Sequence, residues 1–600
     1  MNLTKNKLSN YALLTFILIV FTVIFINTAH VTEDAFITFR AVDNFLKGYG
    51  PVYNVGERVQ VYTHPLWYFL ITTAIGIFKN HYYTVIVLSY ICLMITIWLI
   101  FTKLRREDNL LQIIAAFLAL LVSRAFMDYS SSGLENPLLH LLLVVYVCVL
   151  TLQKDNLKRF FYTSLLYNLI FLTRPDAIVI ITPISLYLLA ITIKSHGLKQ
   201  TLKYALFSVC PSLAWEMFSL IYYGSLVPNT ALSKVNINYP RMELFDRGIA
   251  YLKFILREDT VTLVTIIYSF IFVWFNKNIY AKILMLGVVL QIFYICYVGA
   301  DYMLGRFLTI SILVAMLSFI LMEFNNIVLK RVFINCSIFL TMFLVVLFFP
   351  LYYGANLSYS IDHDRKYTYR IHWNLYGVSD EKVNYFQELG LIPVIRKHSG
   401  DPYTYPWIIE AKEKNIANKN ITILAVVAGM PAWYADEKPY FLEPHGLTNP
   451  YTSRLPALPK KRIGHYERVF PKGYLETLMT GKNVITDPML AKLYDDVALQ
   501  TQGSLWRKER FFAIWRLNSG YYKKIHENFD FNNTDTLMIK VDDESFIKVD
   551  RSKYNTNNIL ALYMDTKSFI FTDNIFFLSN EGVPIPLNTL PTFSPFYSDK

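Results

Sequence analysis

Long apolar runs fill this chain as far as about Tyr353 and then stop. A helix that crosses a bilayer needs about 20 mostly apolar residues, or somewhat fewer at a kink. Runs of that kind lie near 11–29, 82–101, 109–126, 137–152, 160–174, 177–192, 203–222, 259–275, 280–298, 306–323 and 331–351, which predicts eleven spans. Pro65 to Phe78 is apolar too. It opens with proline, is short for a crossing, and carries Trp67 and Tyr68, residue types that collect at membrane surfaces. It reads as a helix lying along the interface. Beyond Gly354 the pattern is that of a globular sequence, with a helical piece at "DEKVNYFQELGLIPVIRKH" and a strand-like run at "NITILAVVAGMPAWYA". The alternations "TLMIKVDDESFIKV" and "KSFIFTDNIFFL" read as further strands. The expected fold is a polytopic α-helical membrane protein with a C-terminal mixed α/β soluble domain. Its boundaries are 1–353, with an external loop at 30–81 and an interfacial helix at 65–78, and 354–600.

Composition agrees with this division: 54% of residues are hydrophobic, 17% are charged and mean hydropathy is +0.34, against roughly 25% charged in soluble domains. Basic residues then orient the spans. With Lys5 and Lys7 inside, Lys103, Arg105 and Arg106 fall in a cytoplasmic turn, as do Lys154, Lys158 and Arg159, then Lys194, Lys199 and Lys203, then Lys277 and Lys282, then Lys330 and Arg331. Counting 65–78 as a span would break that order. The net charge of +12 is thus mostly topology, and nucleic acid is not an expected partner. An odd number of spans exports the C-terminal part. The expected location is the cell inner (cytoplasmic) membrane, multi-pass, with the N-terminus cytoplasmic and the C-terminal domain periplasmic. The first run lacks a small-residue cleavage pattern and is expected to be retained. All five cysteines fall inside spans, so no disulfide framework is expected in the soluble part.

The polar residues bordering the spans carry the chemistry. "HVTEDAFITFR" places Glu33 and Asp34 side by side after the first run; "SSSGLENP" carries Glu135, "TRPDA" carries Arg174 and Asp176, "GSLVPNT" carries Asn229, and "GADYMLGRF" carries Asp301 and Arg306. The basic turns put all five clusters on the non-cytoplasmic face, which points to one outward polar cavity, since ionisable groups at a membrane are costly. Acids and cations together suit transfer of a sugar from a lipid phosphate. One acid would deprotonate an acceptor hydroxyl, a second acid beside it raising its pKa. Forked arginine donors at Arg174 and Arg306 would match the departing phosphate. Lys234 offers a further phosphate contact, and His64 beside Pro65 an acceptor contact. Plainer readings stand beside these. Glu135 fits a first-turn acid favoured by the helix dipole, Arg174 and Asp176 fit an ion pair closing a turn, and Asn229 fits a loop-shaping residue. Glu216 inside the seventh span has no assigned role. The aromatic, Gly- and Pro-rich "AGMPAWYADEKPYFLEPHGLTNP" suits a carbohydrate surface or ordinary turns.

In "EDAFITFRAVDNFLKGYGPVYNVGERVQVYTHPLW", "SSGLENPL", "LTRPDA", "GSLVPNTALSKV" and "GADYMLGRFL", and in "EPHGLTNPYTSRLPAL" and "RIGHYERVFPKGYLET" of the soluble part, the chain resembles the GT-C superfamily of polyprenyl-phosphate-dependent glycosyltransferases. Within it the motifs look like the branch of terminal arabinofuranosyltransferases and the related LphB-like and flagellar-motor-control-like membrane proteins. The resemblance implies a GT-C-like membrane part with Asp34 as base and Glu33 as its partner, the helix after Pro65 forming part of the site wall. The branch often has Asp where this chain has Glu33. The implied activity is an inverting-type transfer from a polyprenyl-phosphate sugar, a pentofuranose being one option, to an envelope glycan, lipid or protein. No cofactor or metal ligand set is assigned, with room left for a divalent cation. No GxGxxG, P-loop, HExxH or GxSxG occurs, so nucleotide, zinc-hydrolase and serine-hydrolase chemistry lack support. A transporter should show repeats with broken helices near the midplane, whereas the charges here gather at one face. A non-catalytic envelope assembly or motor-control protein stays open, and predicts that Asp34→Asn leaves function unchanged.

Overall fold

The structure is a computed structural model that describes residues 2–323 and 378–535, apart from 236, 238, 398, 419–420, 425–426, 459–463 and 465, and beyond them strands at 537–540, 546–548, 570–571, 575–578 and 584–586. The expected span at 331–351, Cys336 and the boundary at 353/354 lie outside the described residues. The chain divides into two compact units, each assembled from separated stretches: Met1–Thr32, His64–Leu213 and Pro240–Pro402 form the first, and Glu33–Thr63, Ala214–Tyr239 and Tyr403–Lys600 the second.

The first unit is helical. Among the described residues, five helices are long and apolar enough to cross a membrane: Ser9–Thr28, His81–Lys103, Pro175–His196, Leu198–Tyr222, whose last turns belong to the second unit, and Ile279–Tyr297. Shorter apolar helices stand at Leu110–Val122, Asn136–Leu152, Thr260–Trp274 and Arg306–Ile320, where spans were expected, and at Pro65–Phe78, expected along the interface. The expected span at 160–174 is the helix Asn156–Thr173. The span expected at 109–126 ends early, at Val122, because Ser123 turns the chain and caps a separate short helix, Arg124–Asp128, through the Phe126 N–H. Close helix packing depends on glycine: a Cβ on Gly287 would stand 1.8 Å from the Ile180 carbonyl oxygen, and one on Gly248 2.3 Å from the Cys296 Cα. Bare glycine backbone lets such helices approach. The helices Glu381–Leu389 and Leu391–Lys397 also belong to this unit, held by backbone bonds from Val31 to Leu389 and from Leu391 to Ala29.

The second unit mixes helices and strands. Tyr440–Leu442 pairs parallel with Ile421–Leu424, which pairs antiparallel with Ile570–Phe571. A second sheet runs Phe546–Lys548, Leu537–Lys540, Ile575–Leu578 and Pro584–Pro586, antiparallel throughout. Five of these strands fall within the three runs that read as strands, while Tyr440–Leu442 and Pro584–Pro586 lie outside them, and the helix Met430–Tyr434 follows Ile421–Leu424. Buried Arg40 pins this region to helix Glu33–Leu46. Its guanidinium donates to the carbonyls of Tyr53, Ala432, Asp436 and Pro439, so every bond goes to backbone and none to a carboxylate. Arg468 likewise donates to the carbonyls of Leu455, His445, Tyr466 and Ser233.

Candidate active site

In the first unit, five predicted site residues meet. Glu135 precedes helix Asn136–Leu152, and its carboxylate, 1% exposed, receives Arg174 Nη1 at 2.9 Å and Arg306 Nη2 at 3.1 and 3.4 Å. His64 Nδ1 stands 3.5 Å from its other oxygen. The fork of Arg174 also holds Asp176 through Nε, at 3.0 and 3.1 Å, and lies 4.9 Å from the Phe307 ring. The expected turn-closing ion pair is therefore present, with an additional bond to Glu135 across 39 residues of chain. Burial alone would raise the Glu135 carboxyl, but Arg306 foremost, with Arg174, holds it well below the usual carboxylate range. Burial outweighs the pull of Glu135 on His64 and lowers that imidazole to about 4, so it is neutral near pH 7. Glu135 thus acts through the arginines and makes no side-chain cap on its own helix. Asp301 accepts the Tyr302 N–H at 2.8 Å.

The second unit contains the acid pair. Glu33 and Asp34 open the helix Glu33–Leu46, where negative charge is favoured. The Glu33 side chain is buried and accepts the backbone N–H groups of Gly429 and of Met430, the latter at 3.2 Å. Gly429 must be glycine here: a Cβ would lie 2.3 Å from the Glu33 carbonyl oxygen and 2.6 Å from its Oε1. Burial first, then Asp34, raises the Glu33 carboxyl to about 8, against the two N–H donors. Asp34 is the more exposed of the two. The loop-shaping reading of Asn229 fits its bonds: its amide donates to Gly446, Leu447 and Asn449 carbonyls and accepts from Ser453 Oγ at 2.8 Å. Lys234 lies exposed on the short helix Asn229–Val235. Glu216 is half-buried on Leu198–Tyr222, and its Oε2 has no hydrogen-bond partner in the protein. Buried Glu57, not singled out from sequence, accepts the Tyr440 hydroxyl at 3.0 Å and Gln502 at 3.3 Å; burial raises it to about 7. Among the described residues, no group of three or more His, Cys, Asp or Glu could hold a metal ion.

Residues 63–215 match the family described as dolichyl-phosphate-mannose-protein mannosyltransferase. The chain is also 27% identical over 220 residues to a terminal beta-(1->2)-arabinofuranosyltransferase of Mycobacterium tuberculosis (strain ATCC 25618 / H37Rv). The resemblance is to GT-C glycosyltransferases. The alignment covers 34% of this chain and 35% of the arabinofuranosyltransferase, so the chain matches about a third of that relative's length. No solved structure matches at a significant level. His64, Glu135, Arg174 and Asp176 all fall inside the GT-C-like match.

The first unit contains a second buried charge cluster that sequence reasoning missed. Arg124 pairs with Asp380 and, at 3.4 Å, with Asp128; Lys382 pairs with Asp128 at 3.0 Å. All four side chains are at most 9% exposed. One signal was present in the sequence: Arg124 fell inside an expected span, where a charge needs a reason. The members that close the cluster, Asp380 and Lys382, stand more than 250 residues from the side chains they bind and gave none.

Proposed function

We propose that this chain is a membrane glycosyltransferase that moves a sugar from a polyprenyl-phosphate donor to an envelope glycan, lipid or protein on the outer face of the inner membrane. The observation that carries the reading is the convergence of two arginines on one buried carboxylate beside the stretch similar to dolichyl-phosphate-dependent enzymes. Arg174 and Arg306 receive the donor phosphate and stabilise it as it leaves, with Lys234 as an additional cation. Asp34 takes the acceptor proton, and Glu33, locked by two backbone N–H groups, positions it. His64 stands against the same Glu135 carboxylate as the arginines. The name of the mycobacterial relative supports a pentofuranose as donor sugar.

One observation favours a second reading, a non-catalytic envelope assembly or motor-control protein: both arginines are already paired, with Glu135 and Asp176, so the cluster is electrically closed without a ligand. Transfer from a panel of radiolabelled polyprenyl-phosphate sugars into envelope extracts separates the two. Purified wild type should transfer from one donor, and folded Asp34→Asn should lose at least about a hundredfold in rate, the scale of a positioned general base. Transfer from no donor would favour the assembly role, and undiminished transfer by Asp34→Asn would move the base elsewhere.

A further inference from the structure

The segment "SSSGLEN", Ser130 to Asn136, joins the helix Arg124–Asp128 to the helix that begins beside Glu135. Its backbone is well held. The Ser132 carbonyl accepts both the N–H and the hydroxyl of Thr32, at 3.0 and 3.3 Å, and the Gly133 carbonyl accepts the Trp67 indole N–H at 3.2 Å. Ser130 Oγ donates to the Phe126 carbonyl at 2.7 Å. Three side chains of the same segment differ. Ser131 Oγ, Ser132 Oγ and both polar atoms of Asn136 have no hydrogen-bond partner in the protein, although these residues are 0% exposed. Leaving a buried donor or acceptor unmade forfeits its hydration without return, and native proteins keep such groups few. Four such atoms within six consecutive residues, at the uncapped N-terminus of a 17-residue helix, call for a partner.

The chemistry of the set narrows that partner. Two hydroxyls can each donate and accept, while the amide offers two donors and an acceptor. A phosphate has only acceptors and would leave Asn136 Oδ1 unmatched. The hydroxyls of a sugar, which donate and accept, match every member. Position agrees, because Asn136 directly follows Glu135, whose carboxylate is held by Arg174 and Arg306. A ligand with its phosphate on those arginines would have its glycosyl ring one bond away.

We infer that Ser131, Ser132 and Asn136 bind the hydroxyls of the donor sugar and set which sugar is accepted. The inference rests on the reading of Arg174 and Arg306 as the phosphate site. The enclosure of these atoms means that the ring is desolvated once bound.

The test compares affinities of the full-length protein in detergent for bare polyprenyl phosphate and for polyprenyl phosphates bearing a pentofuranose or a hexose. Asn136→Ala and Ser132→Ala should weaken binding of the preferred sugar donor about tenfold or more, the effect of one lost buried hydrogen bond, and should narrow its margin over the other sugar. Affinity for bare polyprenyl phosphate should stay as in wild type. Asn136→Ser serves where the alanine variant does not fold. An equal loss of affinity for the bare lipid phosphate would overturn the inference. So would unchanged sugar discrimination with a raised melting temperature for Asn136→Leu, the mark of enclosed water only. Arg306→Gln reads the underlying assignment separately: if that variant keeps full affinity for bare polyprenyl phosphate, the phosphate site is wrong, whatever the sugars do.

Discussion

Glu33 and Asp34 are neighbours in sequence with opposite fates. The Glu33 carboxyl is sealed against Gly429 and Met430 and raised to about 8, while Asp34 is left more accessible. Their adjacency was legible in the sequence. Which of the two is buried was not, because the residues that bury Glu33 lie 396 and 397 positions away. The raised pKa has a consequence for stability. Between the ordinary 4.5 and about 8 the folded chain keeps a proton that the unfolded chain has lost. This contribution is fully present below about pH 4.5 and is lost as pH rises through about 8. Wild type should therefore lose melting temperature from pH 5 to pH 8.5, and Glu33→Gln, which keeps an oxygen for the two N–H groups, should show a flatter profile by differential scanning fluorimetry. An identical slope in both would assign the titration to another group. The bonds of Asn229 predict that Asn229→Ala disorders the 446–453 loop, read as faster proteolysis there.

At the scale of elements, hydrophobic periodicity located most of the helices and all the strands that the alternating runs marked, since burial patterns are local. What escaped it were contacts that depend on two distant stretches at once. Gly287 looked like any residue of an apolar run, yet its missing side chain lets Ile279–Tyr297 approach Ile178–His196. Gly287→Ala should destabilise by about 1–3 kcal/mol, the usual cost of forcing atoms into a packed interface, seen as lost resistance to detergent denaturation. The Arg124–Asp128–Lys382–Asp380 cluster permits a sharper check. Removing one member leaves an opposite charge buried and uncompensated, which costs about 3–5 kcal/mol. Asp128→Asn should thus be strongly destabilised, and Asp128→Asn with Lys382→Met should recover much of the loss. Simple additivity of the two changes would mean that the pair does not couple.

At the scale of the molecule, the sequence divided the chain by a single cut, membrane part first and soluble part second. Clustering of contacts divides it differently, with residues 33–63 and 214–239 joining residues after 403 in the second unit. Composition along the chain could not reveal this, because hydropathy reports what surrounds a residue and not which distant stretch supplies the surroundings. The expected orientation is checked by fusing reporters to the C-terminus: alkaline phosphatase there should be active and green fluorescent protein dark, and the reverse would invert the assignment of every loop. The span of chain between Glu33 and Gly429 also bears on biosynthesis. A ribosome releases the acid pair early and the glycine backbone that fixes it hundreds of residues later, so the helix carrying the pair cannot acquire its final environment while the chain is growing. A chain cut short before residue 428 would insert its apolar helices and yet leave Glu33 solvated, with an ordinary carboxylate pKa. Chain completion thereby becomes a precondition for the raised carboxyl of Glu33.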